Sequence, residues 1–335
     1  MMRKDIIKGS IKINKRYFIL TILLVSIIGS VGLISYIYSI LGDEFALDRS
    51  TDIMGRPKYI HPIGDRGKGR LSGPLSVAVF GKYVYIADSL HGKLAIFTKR
   101  GAHVTSIKIT GKTKVYPIGI AIDDQRRIYL TIESQGSYRI IVVDSDGHFQ
   151  YVFPANPGTN DGNVPILNRP TGLFYQDDKL YVTDAGDHDI KIFTTDGRLL
   201  KKFGRPGYKP GEFMFPHGIT ADENGEIFVA DSNNSRVQVF DKNGRFKYLF
   251  KPNPKEPLLL PRGIAIDSLG RVHVVDLARQ KVFVFTKEGK FLLSYGLGHG
   301  IEGSLSYPNG IAIDKGAGLI YIADRQNNRI AVFSE

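Results

Sequence analysis

Residues 216–240 read PHGITADENGEIFVADSNNSRVQVF. A proline opens a short apolar run, Asn224-Gly225 turns the chain, and a second run ends at Asp231. A polar loop then leads to a third run ending at Phe240. The same pattern starts again at Pro261 (PRGIAIDSLGRVHVVDLARQKVFVF) and Pro308 (PNGIAIDKGAGLIYIADRQNNRIAVF). Upstream it starts at Pro74, Pro117 and Pro170, so successive prolines are 43, 53, 46, 45 and 47 residues apart. A fixed period of this length marks a repeat architecture whose units cannot bury their apolar faces alone. Function then lies in what differs between the copies.

Each run is four to six residues long, rich in Ile, Val, Phe and Tyr, and bounded by Gly, Asn or Asp. Those are strand signals, and runs such as KVFVF are apolar enough to be covered on both faces. Helix is disfavoured because the runs are short and broken by turn residues. Five X-Gly pairs follow the third runs, at Arg100-Gly101, Asp146-Gly147, Asp196-Gly197, Asn243-Gly244 and Glu288-Gly289. They supply the positive φ of a tight hairpin leading to a fourth strand. The pattern predicts an all-β fold, a six-bladed β-propeller of four-stranded antiparallel blades. The sixth copy stops at Ser334-Glu335 without a fourth strand, whereas PKYIHPIGDRGKGRLSGP before Pro74 resembles the fourth strand and linker LLKKFGRPGYKPGEFMFP. Lys58 to Ile63 is therefore expected to supply the outer strand of the last blade and close the ring.

The chain has 335 residues and no cysteine, which excludes disulfides, thiolate metal sites and cysteine nucleophiles. Residues 17–41, YFILTILLVSIIGSVGLISYIYSIL, are uncharged over 25 residues. As a helix they extend roughly 37 Å, enough for a hydrocarbon core of about 30 Å. The run exceeds the apolar region of a cleaved signal peptide and lacks a small-residue cleavage site. Arg3, Lys4, Lys8, Lys12, Lys15 and Arg16 precede it against Asp5 alone. Positive charge stays inside. The expected layout is a basic cytoplasmic tail at 1–16, a transmembrane helix at 17–41, a linker at 42–55 and a propeller at 56–335 outside the cytoplasmic membrane, in the periplasm or at the cell surface. The tail carries +5 of the chain's +12, which leaves +7 on the exported part. That charge suits acidic partners or an anionic envelope surface, and the exported site argues against nucleic acid.

The motifs P-x-G-I-A-x-D, I-Y-V-A-D and N-x-R-I-x-V-F, with a G-x-x-G-x-x-x-G-x-F linker, resemble the NHL-repeat family of six-bladed propellers, here of a membrane-anchored, bacterial type. Repeat four fits best through Asp231, Asn233, Asn234 and Arg236, then repeat six through Asp324, Asn327, Asn328 and Arg329. Repeat two departs, and Glu133 is read there in place of the family's Asp. The resemblance covers about residues 56 to 335 and implies a fold that hosts enzymes, sensors and binding platforms alike.

In such propellers the position after each opening Pro lies near the mouth of the central channel. Around the ring it reads Leu75, Ile118, Thr171, His217, Arg262 and Asn309. Three successive polar residues, His217, Arg262 and Asn309, with Thr171 beside them, form a candidate site for an anionic ligand or a partner's acidic side chain. Arg262 is its planar donor fork. Similar propellers acting as peptidyl-hydroxyglycine lyases hold zinc with three histidines, and only His217 matches. His61, His91, His103, His148, His188, His273 and His299 occupy dissimilar repeat positions. Lactonase-like propellers hold a divalent cation on acidic oxygens, and Asp184, Asp187, His188 and Asp231 are the candidate ligands here. Recurrence at Asp88, Asp231, Asp276 and Asp324 instead suits strand-end caps that accept loop N–H groups. No G-x-S-x-G, P-loop or HExxH motif is present. The reading is a non-enzymatic, membrane-tethered scaffold or assembly component of the envelope, without a required cofactor. A metal-dependent lyase or lactonase with its site at the channel mouth is the alternative.

Overall fold

The computed structural model describes residues 55–111, 113–154, 167–251, 253–296 and 302–335. The tail 1–16, the expected span 17–41, nearly all of the linker, most of the 154–170 insert and His299 lie outside the described residues. Among the described residues no helix is long and apolar enough to cross a membrane. Arg56–Glu335 is one compact unit.

The described residues form six four-stranded antiparallel sheets, each built from consecutive strands except the last. Blade four is typical, with strands Pro216–Ala221, Ile227–Asp231, Arg236–Phe240 and Phe246–Leu249. Blade six takes Pro308–Asp314, Leu319–Asp324 and Arg329–Ser334 from the end of the chain and Tyr59–Ile63 from its start. That closing strand pairs Ile63 with Ile330, His61 with Val332 and Tyr59 with Phe333. The ladder extends to Lys58, whose carbonyl accepts the Ser334 N–H at 2.8 Å. The fold is thus the closed six-bladed propeller expected from the repeats.

The apolar runs are buried on both sides because each blade is sandwiched by two others. Every residue of Ile227–Asp231 and of Lys281–Phe285 is buried. Six apolar clusters result, one at each junction of neighbouring blades. At the closing junction Tyr321, Ile330 and Val332 of blade six pack with Val84, Ile86 and Phe97 of blade one, and Ile63 and Leu71 join them.

Close approach near the axis explains the glycine of Pro-x-Gly. A Cβ on Gly172 would lie 2.0 Å from the His217 carbonyl oxygen, and one on Gly218 2.1 Å from that of Arg262. Gly119 and Gly263 meet the next blade's carbonyl in the same way, so the inner strands touch backbone to backbone. The X-Gly hairpins need glycine for its conformation. Gly244 has φ 76°, and the Asp241 carboxylate before it accepts the Asn243 and Arg245 N–H groups at 2.8 and 2.9 Å.

Blade two corrects one reading. Pro117 pairs with Ile132, as Pro170 pairs with Asp184 and Pro216 with Asp231, so Ile132 occupies the register of the recurrent acid. Glu133 is one residue further on and accepts the Gly136 N–H at 2.6 Å. The strand gained no residue. The reading slipped because an acid one place late resembles a conservative replacement.

Two substitutions test this account by urea denaturation. Ile63→Ala is expected to cost about 2–5 kcal/mol, the range for truncating a buried aliphatic side chain. Gly218→Ala should cost about 1–3 kcal/mol or more, because its methyl has no room before the Arg262 carbonyl. An unchanged midpoint for Gly218→Ala would show that the inner strands are free to move apart.

Candidate functional site

Pairing of Pro216 with Asp231, and of Asp231 with Arg236, brings the linker into the first strand and the loop after the second to one end of the blade. We term this end the top face. The recurrent acids sit there and are buried, with Asp184, Asp231, Asp276 and Asp324 at 0% exposure. Each accepts N–H groups from the incoming linker. Asp88 takes Ser72, Asp184 takes Asn168 and Arg169, Asp231 takes Met214, Asp276 takes Leu259 and Leu260, and Asp324 takes Ser306. Side chains of the following loop and third strand reach the same carboxylates. Asp231 is reached by Asn234, Arg236 and Gln238, and Asp324 by Asn327 and Arg329. Burial nevertheless pushes the Asp88 and Asp324 carboxyls above their ordinary value, against the pull of these bonds. The acids hold the linkers in place, and none of them lines the axial cavity.

The candidate ligands Asp184, Asp187, His188 and Asp231 are not brought together. His188 turns away, accepting the Phe215 N–H at 2.9 Å and packing edge-on against the Phe215 ring. Asp231 belongs to the neighbouring blade with its own partners. Asp184 and Asp187 instead converge with Asp189. Between these three carboxylates lies the Lys191 ammonium, 2.8 Å from each and 1% exposed. Lysine thus holds the position at which a cation would meet the three acids. Lys191 and Gln238 share one register in their blades, opposite Val182 and Val229. Blade four places Arg236 and Gln238 on Asp231, and blade three reverses the pair with Asp189 and Lys191. The signal available in sequence was the lone lysine inside DIKIF.

The first strands surround an axial cavity of about 330 Å³. Its wall includes Leu75, Ile118, Thr171, His217 and Asn309, five of the six positions after the opening prolines. Thr171 is 7% exposed, and its hydroxyl is engaged with the Thr183 hydroxyl at 3.0 Å and the Pro216 carbonyl at 3.2 Å. His217 faces the cavity and is half-buried. Burial first, then Arg262 and Arg169, hold its imidazole well below the ordinary value, so it is neutral at physiological pH. Arg262 is not on the wall. Its Nε is buried and makes no hydrogen bond. Burial lowers its guanidinium pKa, with Arg169 and Arg325 adding to the effect. Arg169, in the residue before Pro170, was missed because that position varies from Gly73 to Tyr307 and looks like spacer.

The other described histidines are engaged away from the cavity. His91 bonds Asp88, His103 bonds Ser106, and buried His273 lies between Tyr295 and Asp267. His61 and His148 have their own neighbours, Pro62 and Asp144. No three-histidine constellation forms among the described residues.

The family model described as NHL repeat matches residues 213–240 and 305–333. The chain is a six-bladed β-propeller that carries NHL repeats. Among curated relatives of this propeller, Protein brain tumor of Drosophila melanogaster is 29% identical over 134 residues, 40% of this chain and 12% of that protein. NHL repeat-containing protein 3 of Homo sapiens is 41% identical over 78 residues, 19% of this chain and 22% of that protein. The chain therefore spans less than a quarter of the length of these two. Among solved structures, a gluconolactonase from Xanthomonas campestris superposes with a TM-score of 0.60 at 15% identity, covering 84% of this chain and 94% of that one. Virginiamycin B lyase from Staphylococcus aureus gives 0.55 at 15% identity, covering 84% and 99%. At such identity these likenesses show the fold alone.

The lysine-centred network has a pH signature. The Lys191 pKa is raised above 10.5, so its contribution is complete below that value and lost as pH rises through the folded pKa. The Asp187 pKa is lowered from 3.8, so its contribution is present above that value and lost as pH falls. Lys191→Met should cost about 3–5 kcal/mol at pH 7, because three carboxylates lose their counter-charge. That cost should shrink towards pH 4 as the carboxylates take up protons. Chelator should leave the wild-type melting temperature unchanged. A chelator-sensitive wild type would restore a metal to this loop.

Proposed function

We propose that the protein is a non-enzymatic binding platform, tethered to the cytoplasmic membrane by residues 17–41 with its propeller outside. Its top face would receive a protein or envelope partner as part of a scaffold or assembly. The apolar run and its basic flank support the tether and orientation. The observation that carries the binding reading is the contrast at the top face. Every recurrent acid there is buried and bonded to its own linker or third strand, whereas His217 and Asn309 are on the cavity wall, with Arg262 close enough to His217 for its charge to be felt. A hydrolase or lyase needs a base, nucleophile or metal at the cavity. The titratable side chains on its wall are Tyr175, His217 and Lys315, with His217 kept neutral near the mouth.

Site-directed photo-crosslinking of the full-length protein in its native membrane tests this. A crosslinker replacing Tyr307, 48% exposed in the linker before Pro308, should give a discrete adduct. One replacing Leu269, 69% exposed in a hairpin on the opposite face, should not. No adduct from Tyr307, together with stoichiometric metal in the purified protein, would favour the lyase or lactonase alternative.

A further inference from the structure

Three arginines at the top face stand outside its ion pairs. Arg169, Arg262 and Arg325 make no ion pair with any carboxylate among the described residues, although each lies close enough to another for its charge to be felt. Their neighbours elsewhere behave differently. Arg236 and Arg329 are bound to Asp231 and Asp324, and Arg271 and Arg127 to Asp267 and Asp123. Arg262 is the most confined of the three. Its charge is felt by His217 of the cavity wall, its Nε is buried without an acceptor, and its nearest opposing charge, Asp276, already accepts the N–H groups of Leu259, Leu260 and Arg279. A buried guanidinium donor with no acceptor is costly and is relieved by an incoming anion.

We propose that the mouth of the axial cavity is a carboxylate-binding pocket that anchors an acidic side chain of a peptide segment, with Arg262 as the central donor and Arg169 and Arg325 as flanking charges. The proposal rests on the binding-platform reading and names its chemistry. Arg169 and Arg325 are exposed at the rim and steer the ligand, while Arg262 below them receives it. Neutral His217 and the Asn309 amide line the same mouth and offer hydrogen-bonding groups without adding charge. The planar fork of arginine matches a carboxylate in two parallel hydrogen bonds. A polynucleotide is favoured less by this geometry. It tracks an extended basic groove over many phosphates, whereas here the central cation is recessed and single.

The test uses the full-length protein in lipid nanodiscs and a fluorescent peptide of alternating Glu and Gly, read by anisotropy. A Gln-Gly peptide, free glutarate and a single-stranded RNA are compared with it. The acidic peptide should bind one to one, weaken with salt, and bind at least tenfold more tightly than the Gln-Gly peptide. Arg262→Gln should lower its affinity at least tenfold and Arg325→Gln several-fold, with thermal unfolding unchanged for the exposed Arg325 variant. Arg198→Gln, on an exposed hairpin of the opposite face, should change nothing. Equal affinity in wild type and both top-face variants would overturn the proposal. So would RNA binding more tightly than the acidic peptide through the same arginines, or glutarate matching the peptide's affinity. An adduct at Tyr307 that survives Arg262→Gln would keep the platform and discard the acidic contact.

Discussion

The fold depends on one pairing, between Tyr59–Ile63 and Arg329–Ser334. Each blade is covered on both faces only because the ring has no gap. The same strand completes the sheet of blade six and inserts Ile63 into the cluster shared by blades six and one. Tyr59 stacks edge-on against Phe333, which in turn meets Tyr295 of blade five, so the closing strand is tied to three blades. An open ring would expose two blade faces made of continuous apolar strands, the kind of surface that water penalises most. Closure at the chain ends also fixes the axis, and with it the spacing of the His217 and Arg262 carbonyls that forbid a Cβ at Gly172 and Gly218.

Within the closed ring, charge is divided between two tasks. The recurrent aspartates are spent on architecture. Buried at the ends of second strands, they take up N–H groups of linkers that otherwise have no sheet partner. Their charge is balanced locally by Arg236 and Arg329, and in blade three by Lys191. The reversal in blade three, with Asp189 in the arginine's register and Lys191 in that of Gln238, shows that the buried aspartate can take its cation from either position of the third strand. With the acids bonded to linkers and third strands in this way, further arginines at the same end have no carboxylate in ion-pair contact. That is the position of Arg169, Arg262 and Arg325.

The repeat made the fold legible. A Pro-x-Gly start, an Asp at the second strand's end and an X-Gly hairpin define four strands by chemistry that each blade must satisfy. Closure was legible too, because a missing fourth strand at Glu335 and an orphan strand at Lys58 are complementary. What escaped was register and direction. Glu133 was taken for the recurrent acid because periodicity in sequence does not show which residue pairs with the proline, and only the pairing of Pro117 with Ile132 reveals the slip. The ligand-rich run from Asp184 to Asp189 read as one set, but His188, in the turn at φ 57°, accepts the Phe215 N–H, and Lys191 meets the acids from within the next strand. Side chains that meet across a turn and a strand carry no local spacing signature.

A ring of near-identical blades has near-identical mouth positions, so any recognition at the axis must come from broken symmetry. Leu75 and Ile118 bring only apolar contact to the cavity wall, and the Thr171 hydroxyl is already bonded to Thr183 and Pro216. The remaining arc, His217, Arg262 and Asn309, therefore sets the polarity of one side of the opening. Neutral His217 beside a recessed Arg262 is a consistent pair: the arginine's charge is one reason the imidazole sheds its proton, and a neutral imidazole spares the arginine a second cation at close range. The positive field is thus gathered on one arc, around Arg262 and its neighbours Arg169 and Arg325, instead of being spread around the ring. A field focused in this way selects for a single anionic group at a defined place, the requirement of an anchor and not of a general electrostatic surface.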